Sequence, residues 1–284
     1  MLIQSFIPSL ILRPFIDGFF VQQDFNPTNF ANRSPVKVLP SSMTVIGIQY
    51  GQPMNKLENN AAVSMGSSGI TGIHTTVKEY VGTGAIGTII IVFRPGGLSR
   101  FTSYPLHEFH NADVPLELVF PGQAVRDMEE MLAGASGAAE RVGIVQQFLG
   151  SLLLDNDREQ LVSQAAHIIV QRHGVVSVER LAAHLYVSKR TLERKFNALI
   201  GASPKQFANI VRFQRTIQLR HAGYDYLDIV EACRFSDHAH YAKDFKAFAG
   251  CSPEQFFHSE VQPELKKVFN ESKAASRSNQ HLYY

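Results

Sequence analysis

The chain has no tryptophan and only two cysteines in 284 residues. Cys233 and Cys251 are too few to build a disulfide framework or a thiolate metal centre, and reduced thiols of a cytosolic protein fit them better. Charged residues are also scarce, at 18% against 45% hydrophobic, which excludes a disordered polyelectrolyte and indicates an ordinary globular chain. No apolar run reaches the roughly 20 residues that span a bilayer. Met1–Phe20 is apolar, but Pro8, Arg13, Pro14 and Asp17 interrupt it. It has neither a basic opening nor a small-residue cleavage site. A cytoplasmic location without membrane contact is expected.

Charge is small in sum but uneven. The net charge is +2. Residues 1–155 hold 9 Lys/Arg against 12 Asp/Glu, and residues 156–260 hold 14 against 11. A mildly basic second half is compatible with nucleic-acid contact and proves nothing alone.

Familiar chemistry is missing as well. His74, His107 and His110 are the candidates for a metal site in the first half, yet no carboxylate stands at a spacing that would fix one. Neither a metal nor a cofactor is expected. Pro95-Gly-Gly97 lacks the lysine and the strand–loop–helix context of a phosphate loop and reads as a turn after a buried strand. No nucleophile–base pattern or paired-carboxylate motif occurs, so the chain is not expected to be an enzyme.

What is present is a near-repeat. Phe196-Asn-Ala-Leu-Ile-Gly-Ala-Ser-Pro-Lys-Gln-Phe207 returns 49 residues later (245 − 196) as Phe245-Lys-Ala-Phe-Ala-Gly-Cys-Ser-Pro-Glu-Gln-Phe256. A fixed offset of this size marks a duplicated supersecondary unit. In each copy a short apolar helix, a turn and a helix with one polar face follow one another, the order of a helix-turn-helix. The first copy places Ser177 and Ser188 as N-caps, Gly201 as a helix stop, and Ser203-Pro204 at the start of a long helix to about His221. That helix reads as basic on one face, with Arg212, Arg215 and Arg220. The second copy runs from Tyr226 through the turn Arg234-Phe235-Ser236 to a helix over 237–249, ended by Gly250. Outward positions are Lys189, Arg190, Glu193, Arg194 and Asn197 in one unit and His238, Ala239, Lys243 and Lys246 in the other.

Residues 1 to about 125 read as β-rich, with strands at Val36–Leu39, Met43–Tyr50 and Gly87–Phe93 between Gly/Pro turns. Met54–Asn60 reads as a polar loop or hairpin connection. Helical spacing from Ala124 to Leu152, broken at Gly134–Gly137, indicates a helical pair. The fold class is thus multidomain α+β. A β-rich sandwich or barrel-like module with its helical pair occupies 1–154, an all-α domain with two helix-turn-helix units occupies 155–260, and a disordered tail is expected over 261–284.

Residues about 158–258 resemble the DNA-binding domain of the AraC/XylS family of transcription regulators. The marks are Leu181-Ala182, Ser188, Leu192, Arg194 and Phe196, then Gly201 with Ser203-Pro204, and Arg212. They continue with Phe235-Ser-Asp237, His240-Tyr241, Phe245 and Gly250-Cys-Ser-Pro253. The first half is similar, more loosely, to a subgroup with a β-rich sensor-like domain, through Leu39-Pro40 and Phe93-Arg-Pro-Gly-Gly97. The sequence departs from the pattern at Arg234, where glycine is usual, and at Ala239, where serine is common.

The resemblance implies a sequence-specific regulator that binds double-stranded DNA with Ser188, Lys189, Arg190, Glu193, Arg194, His238, His240, Lys243 and Lys246. Its implied partners are RNA polymerase, a small-molecule effector and a second copy of the chain. His240 also reads as a packing residue beside Tyr241. The helix N-termini at Ser188 and Ser236 would favour phosphates. Two alternatives stay open: a metal-dependent or DNA-repair enzyme fused to a DNA-binding domain, and an interaction module without DNA binding.

Overall fold

The computed structural model describes residues 2–26, 35–59, 61–155 and 160–258. The expected tail, 261–284, lies outside the described residues. The first half forms β1 (Leu2–Phe6), β2 (Ile16–Asp24), β3 (Val36–Val38), β4 (Val45–Gln49) and β5 (Met54–Glu58). β6 (Ala61–Ser64), β7 (Ser68–Thr71), β8 (Lys78–Gly82), β9 (Ile86–Phe93) and β10 (Asp113–Pro115) follow. One sheet has the order β1-β2-β9-β4-β7-β10 and the other β3-β8-β5-β6. Their ladders are antiparallel throughout.

β9 lies between β2 and β4 and is buried along almost its whole length, which is why its Thr-Ile-Ile-Ile-Val-Phe run does not alternate. Phe19, Val21, Ile46, Ile48, Ile89, Ile91 and Phe93 make the sheet side of the core. Two helices close it: α1 (Gly122–Gly134) with Val125, Met128 and Leu132, and α2 (Ala138–Ser151) with Val142, Val145 and Leu149. Full burial of each such side chain stabilises by about 1.5–3 kcal/mol. Within the stretch 54–60, Met54–Glu58 forms β5, which pairs with β6 in the hairpin that is one of the two readings of its sequence, and Lys56 on it reaches the largely buried Asp113.

The second half is helical: α3 (Gln160–Gln171), α4 (Val178–His184), α5 (Lys189–Ile200) and α6 (Pro204–His221), then α7 (Tyr226–Ala232), α8 (His238–Ala249) and α9 (Pro253–His258). It has two cores. Ile169, Leu181, Leu192, Phe196 and Phe207 centre the first, and Phe213, Ile229, Tyr241, Phe245 and Phe256 the second. The duplication extends to ring geometry. Phe196 and Phe207 meet edge-on at 5.4 Å and 70°, and Phe245 and Phe256, each 49 residues on (245 − 196, 256 − 207), meet at 5.3 Å and 73°. Such pairs add about 0.5–1.5 kcal/mol beyond the area they bury.

The β half is not a separate bead. Ile73 is buried within the first helical core, and Leu39 packs on the second. Ser42 Oγ donates to Gln214 Oε1 at 3.1 Å, and Gln214 Nε2 to the Pro40 carbonyl at 3.4 Å. A short 3-10 turn, Leu106–Phe109, presses on α5. Gly201, at φ 93°, comes so near it that a Cβ there would stand 2.8 Å from the Leu106 carbonyl oxygen. The Pro95-Gly-Gly97 turn joins the same seam: Gly96, at φ 83°, approaches Ile200, and Gly97 lies against the Phe15 backbone.

Candidate nucleic-acid interface

Local chemistry sets each helix start in the first unit. Ser177 accepts from the Arg180 N–H to start α4, and Ser188 accepts from the Thr191 N–H at 3.1 Å to start α5. Gly201 ends α5 in the left-handed conformation, and Ser203 with Gln206 forms a complete capping box on α6. Leu192, Phe196 and Ile200 point into the core. The opposite side of α5 puts Ser188, Lys189, Arg190 and Arg194 in solvent, with Glu193 half-buried. Lys189 Nζ lies 2.6 Å from Glu179 Oε1. That contact, ahead of the Glu179 backbone N–H and Ser177, pulls the Glu179 carboxyl down to about 2 and raises Lys189.

The second unit repeats the scaffold with different surface chemistry. Asp225 starts α7 with a capping box closed by Asp228. α8 starts at Asp237, not Ser236: the Asp237 carboxylate accepts from the His240 N–H at 2.7 Å. This revises the expectation of a phosphate-favouring terminus at Ser236, because a carboxylate already occupies it. The His240 N–H and the Ser236 hydroxyl together hold the Asp237 carboxyl below its ordinary value.

His238 and His240 are exposed, yet both engage aromatic rings. His238 lies edge-on to Tyr226 at 5.6 Å and to Tyr241 at 5.9 Å, with Nε2 3.7 Å from Glu254. His240 lies edge-on to Phe235 at 5.3 Å, and its Nδ1 is 3.1 Å from Ser236 Oγ. Lys243 and Lys246 are exposed on the same helix.

Two features lay beyond sequence reasoning. The arginines of α6 read as a basic stripe, but two of them turn inward to fasten the second unit. Arg212 lies 2.6 Å from Asp244 and 4.4 Å over the Phe235 ring, and Arg220 lies 4.9 Å over Tyr226. Arg–aromatic–carboxylate stacking of this kind is what a planar guanidinium suits. The second feature is the seam. His110 hydrogen-bonds the Gly201 backbone, and burial outweighs that bond to push its ring below its ordinary value. Neither was legible because both depend on contacts distant in sequence.

The remaining candidates are dispersed. His107 is exposed beside Glu108, His74 is buried, and among the described residues no three histidine, cysteine or acidic side chains gather in a metal-binding group. Cys233 is buried, with its thiol pushed up by burial, and Cys251 is half-buried. Among the described residues no helix is long and apolar enough to cross a membrane.

The helical half fits a family described as a helix-turn-helix domain over residues 181–259. The β half fits a domain of unknown function, DUF6597, over residues 4–115. Among characterised proteins, the HTH-type transcriptional activator RhaS of Escherichia fergusonii is 29% identical over 144 residues, covering 47% of this chain and 51% of that protein. The chain thus spans about half the length of this curated relative. Among solved structures, ToxT from Vibrio cholerae O395 aligns at 9% identity over 89% of this chain and 96% of that one, with a TM-score of 0.44. Its form bound to (E)-4-(8-methylnaphthalen-1-yl)but-3-enoic acid aligns at 10% identity over 89% and 97%, with a TM-score of 0.45.

Proposed function

We propose that the chain is a regulator of the AraC/XylS type, a reading supported by the helix-turn-helix match over residues 181–259 and the likeness to RhaS, and that it reads a specific double-stranded DNA site with both units. The observation that carries this is the exposure of Lys189, Arg190 and Arg194 on one side of α5, with Arg212 of α6 fastening a second polar-faced helix through Asp244 and Phe235. Units joined in this way contact successive major-groove segments about 10 bp apart. Arg190 and Arg194 have the reach and the fork geometry for guanine O6 and N7, while Glu193 accepts from cytosine N4 or orients a neighbouring arginine. Ser188 and the start of α5 hold a phosphate, and Lys189 exchanges Glu179 for the backbone. In the second unit Lys243 and Lys246 serve the phosphates, and His238 and His240, packed edge-on against aromatic rings, offer ring N–H groups at the groove. Control by an effector in the β half, pairing with a second copy and contact with RNA polymerase belong to the same reading.

The test is fluorescence anisotropy with DNA selected by the protein from a random pool, as a function of salt. Arg190→Ala and Arg194→Ala should each cost about 1–3 kcal/mol of affinity and relax specificity at one position. Lys243→Ala should weaken all sequences alike and reduce the salt slope by about one. Wild-type affinity in both arginine variants would refute the assignment.

A further inference from the structure

The β half contains a cavity of about 500 Å³ bounded by β5, β6, the turn into β7, β10 and α1. That volume lies within the range of small-molecule sites. It exists because β6 and β10 are edge strands of different sheets, one pairing with β5 and the other with β7, so the sheets part between them.

One wall is a charge network centred on Asp113. Its Oδ1 accepts from Lys78 Nζ at 2.8 Å, Tyr80 Oη at 3.2 Å and Thr71 Oγ1 at 2.9 Å. Lys56 Nζ lies 2.7 Å from Oδ2 and 2.8 Å from Glu58. These cations outweigh burial and keep the Asp113 carboxyl below its ordinary value. The facing wall is Glu129 of α1, whose Oε1 accepts from Ser67 Oγ at 2.8 Å and Ser68 Oγ at 2.5 Å. Its hydrogen bonds thus come from neutral hydroxyls and not from a cation. With Glu117 and Arg126, the lining holds four carboxylates against two cations; Lys78, paired with Asp113 from behind the wall, is a third, which leaves the carboxylates one in excess, and Met65, Val114 and Val125 add apolar surface.

We propose that this cavity is an effector site for a small organic cation, a protonated amine carried on an apolar body. An anion entering it would meet the half-buried Glu129, with Glu58 and Glu117 at the exposed rim, and a neutral polar molecule would leave the Glu129 charge answered by hydroxyls alone. An ammonium answers it, and the apolar walls take the rest of the molecule.

The cavity is also wired to the reading helix by covalent continuity. Asn111 and Asp113 in its wall directly follow Leu106–His110, the stretch that presses on α5 and bonds Gly201. The Asn111 N–H donates to the Ile73 carbonyl at 2.9 Å, and the Gly72 N–H to the Ala112 carbonyl at 3.2 Å. Ile73 itself sits in the core of the first unit. A ligand that redistributes the Lys56–Asp113 pairing therefore acts on the segment that holds α5. The effector role rests on the DNA-binding reading above; the site itself rests on the cavity.

The experiment is isothermal titration calorimetry of the full chain with butylamine and benzylamine, beside their matched alcohols and carboxylates. At least one amine should bind, with its alcohol and acid counterparts weaker by about tenfold or more. Glu129→Gln, shown by thermal unfolding to be folded, should lose about tenfold in amine affinity, and Ser67→Ala provides a second, milder variant. Arg190→Ala should bind amine like the wild type, and bound amine should change affinity for the selected DNA about fivefold or more. No amine binding, equal binding of the alcohols, or a Glu129→Gln variant with unchanged affinity would overturn the site. Amine binding that leaves DNA affinity untouched would overturn the effector role. Loss of all DNA binding with amine binding intact would count against the DNA-reading proposal and support the cavity.

Discussion

Gly201 and Gly250 occupy equivalent positions, ending α5 and α8 in the left-handed conformation, at φ 93° and 77°. Alanine at either position incurs the same backbone penalty, about 1–2 kcal/mol, offset in part by the smaller entropy that alanine loses on folding. Their surroundings differ. A Cβ at Gly250 meets nothing within 4 Å, whereas at Gly201 it falls 2.8 Å from the Leu106 carbonyl oxygen and 3.2 Å from its carbon. Those are backbone atoms and cannot rotate aside, so the seam must shift at an overpacking cost of about 1–3 kcal/mol. Gly201→Ala should therefore destabilise by about 1–3 kcal/mol more than Gly250→Ala in urea denaturation, the shared backbone term cancelling. Hydrogen exchange over 106–111 should rise in the first variant and not in the second. Equal costs for the two would refute the packing of the β half on α5.

Three further outcomes follow from named contacts. Arg234, at φ 55°, holds the second turn in the left-handed region, as Tyr186 does in the first, so Arg234→Gly should stabilise by about 0.5–1 kcal/mol in the same denaturation assay. Arg212→Ala should destabilise by about 1–3 kcal/mol through lost pairing and stacking, and Arg212→Lys should not recover the stacking part. His74 is buried, and burial first, then Lys78, pushes its ring down from 6.5 to about 4. The unfolded chain therefore takes up the proton first: stability is complete above about pH 6.5 and falls towards pH 4, by at most about 3 kcal/mol. His74→Gln should flatten that part of a pH–stability profile.

Both helix-turn-helix units were legible in the sequence because their boundaries are local. Ser188, Gly201 and Ser203-Pro204 cap and stop helices with their own backbone neighbours, and the structure finds each in that role. β9 was legible from its unbroken apolar run. β1 and β2 were not, since Met1–Phe20 is dense in apolar residues and shows little alternation. Lys56 made β5 look like a loop, because a lysine facing a buried aspartate is indistinguishable in sequence from one facing water. The arginines of α6 misled for the complementary reason: their partners Asp244, Phe235 and Tyr226 lie in the other unit.

α5 is where these strands of structure meet, and its two ends have separate duties. At about 1.5 Å per residue, its 12 residues span about 18 Å. The C-terminal end, Leu199 to Gly201, is held by the Leu106–His110 stretch and the Pro95-Gly-Gly97 turn. The N-terminal end presents Ser188, Lys189 and Arg190 to solvent. A helix this short is stiff, so displacement at the gripped end is transmitted to the outward end with little loss. The grip also extends past α5: Gln214 of α6 and the second core take contacts from Ser42 and Leu39. The β half therefore holds both units at once, α5 through the Leu106–His110 stretch and α6 with the second core through Ser42 and Leu39, and it leaves exposed the two faces proposed to read DNA.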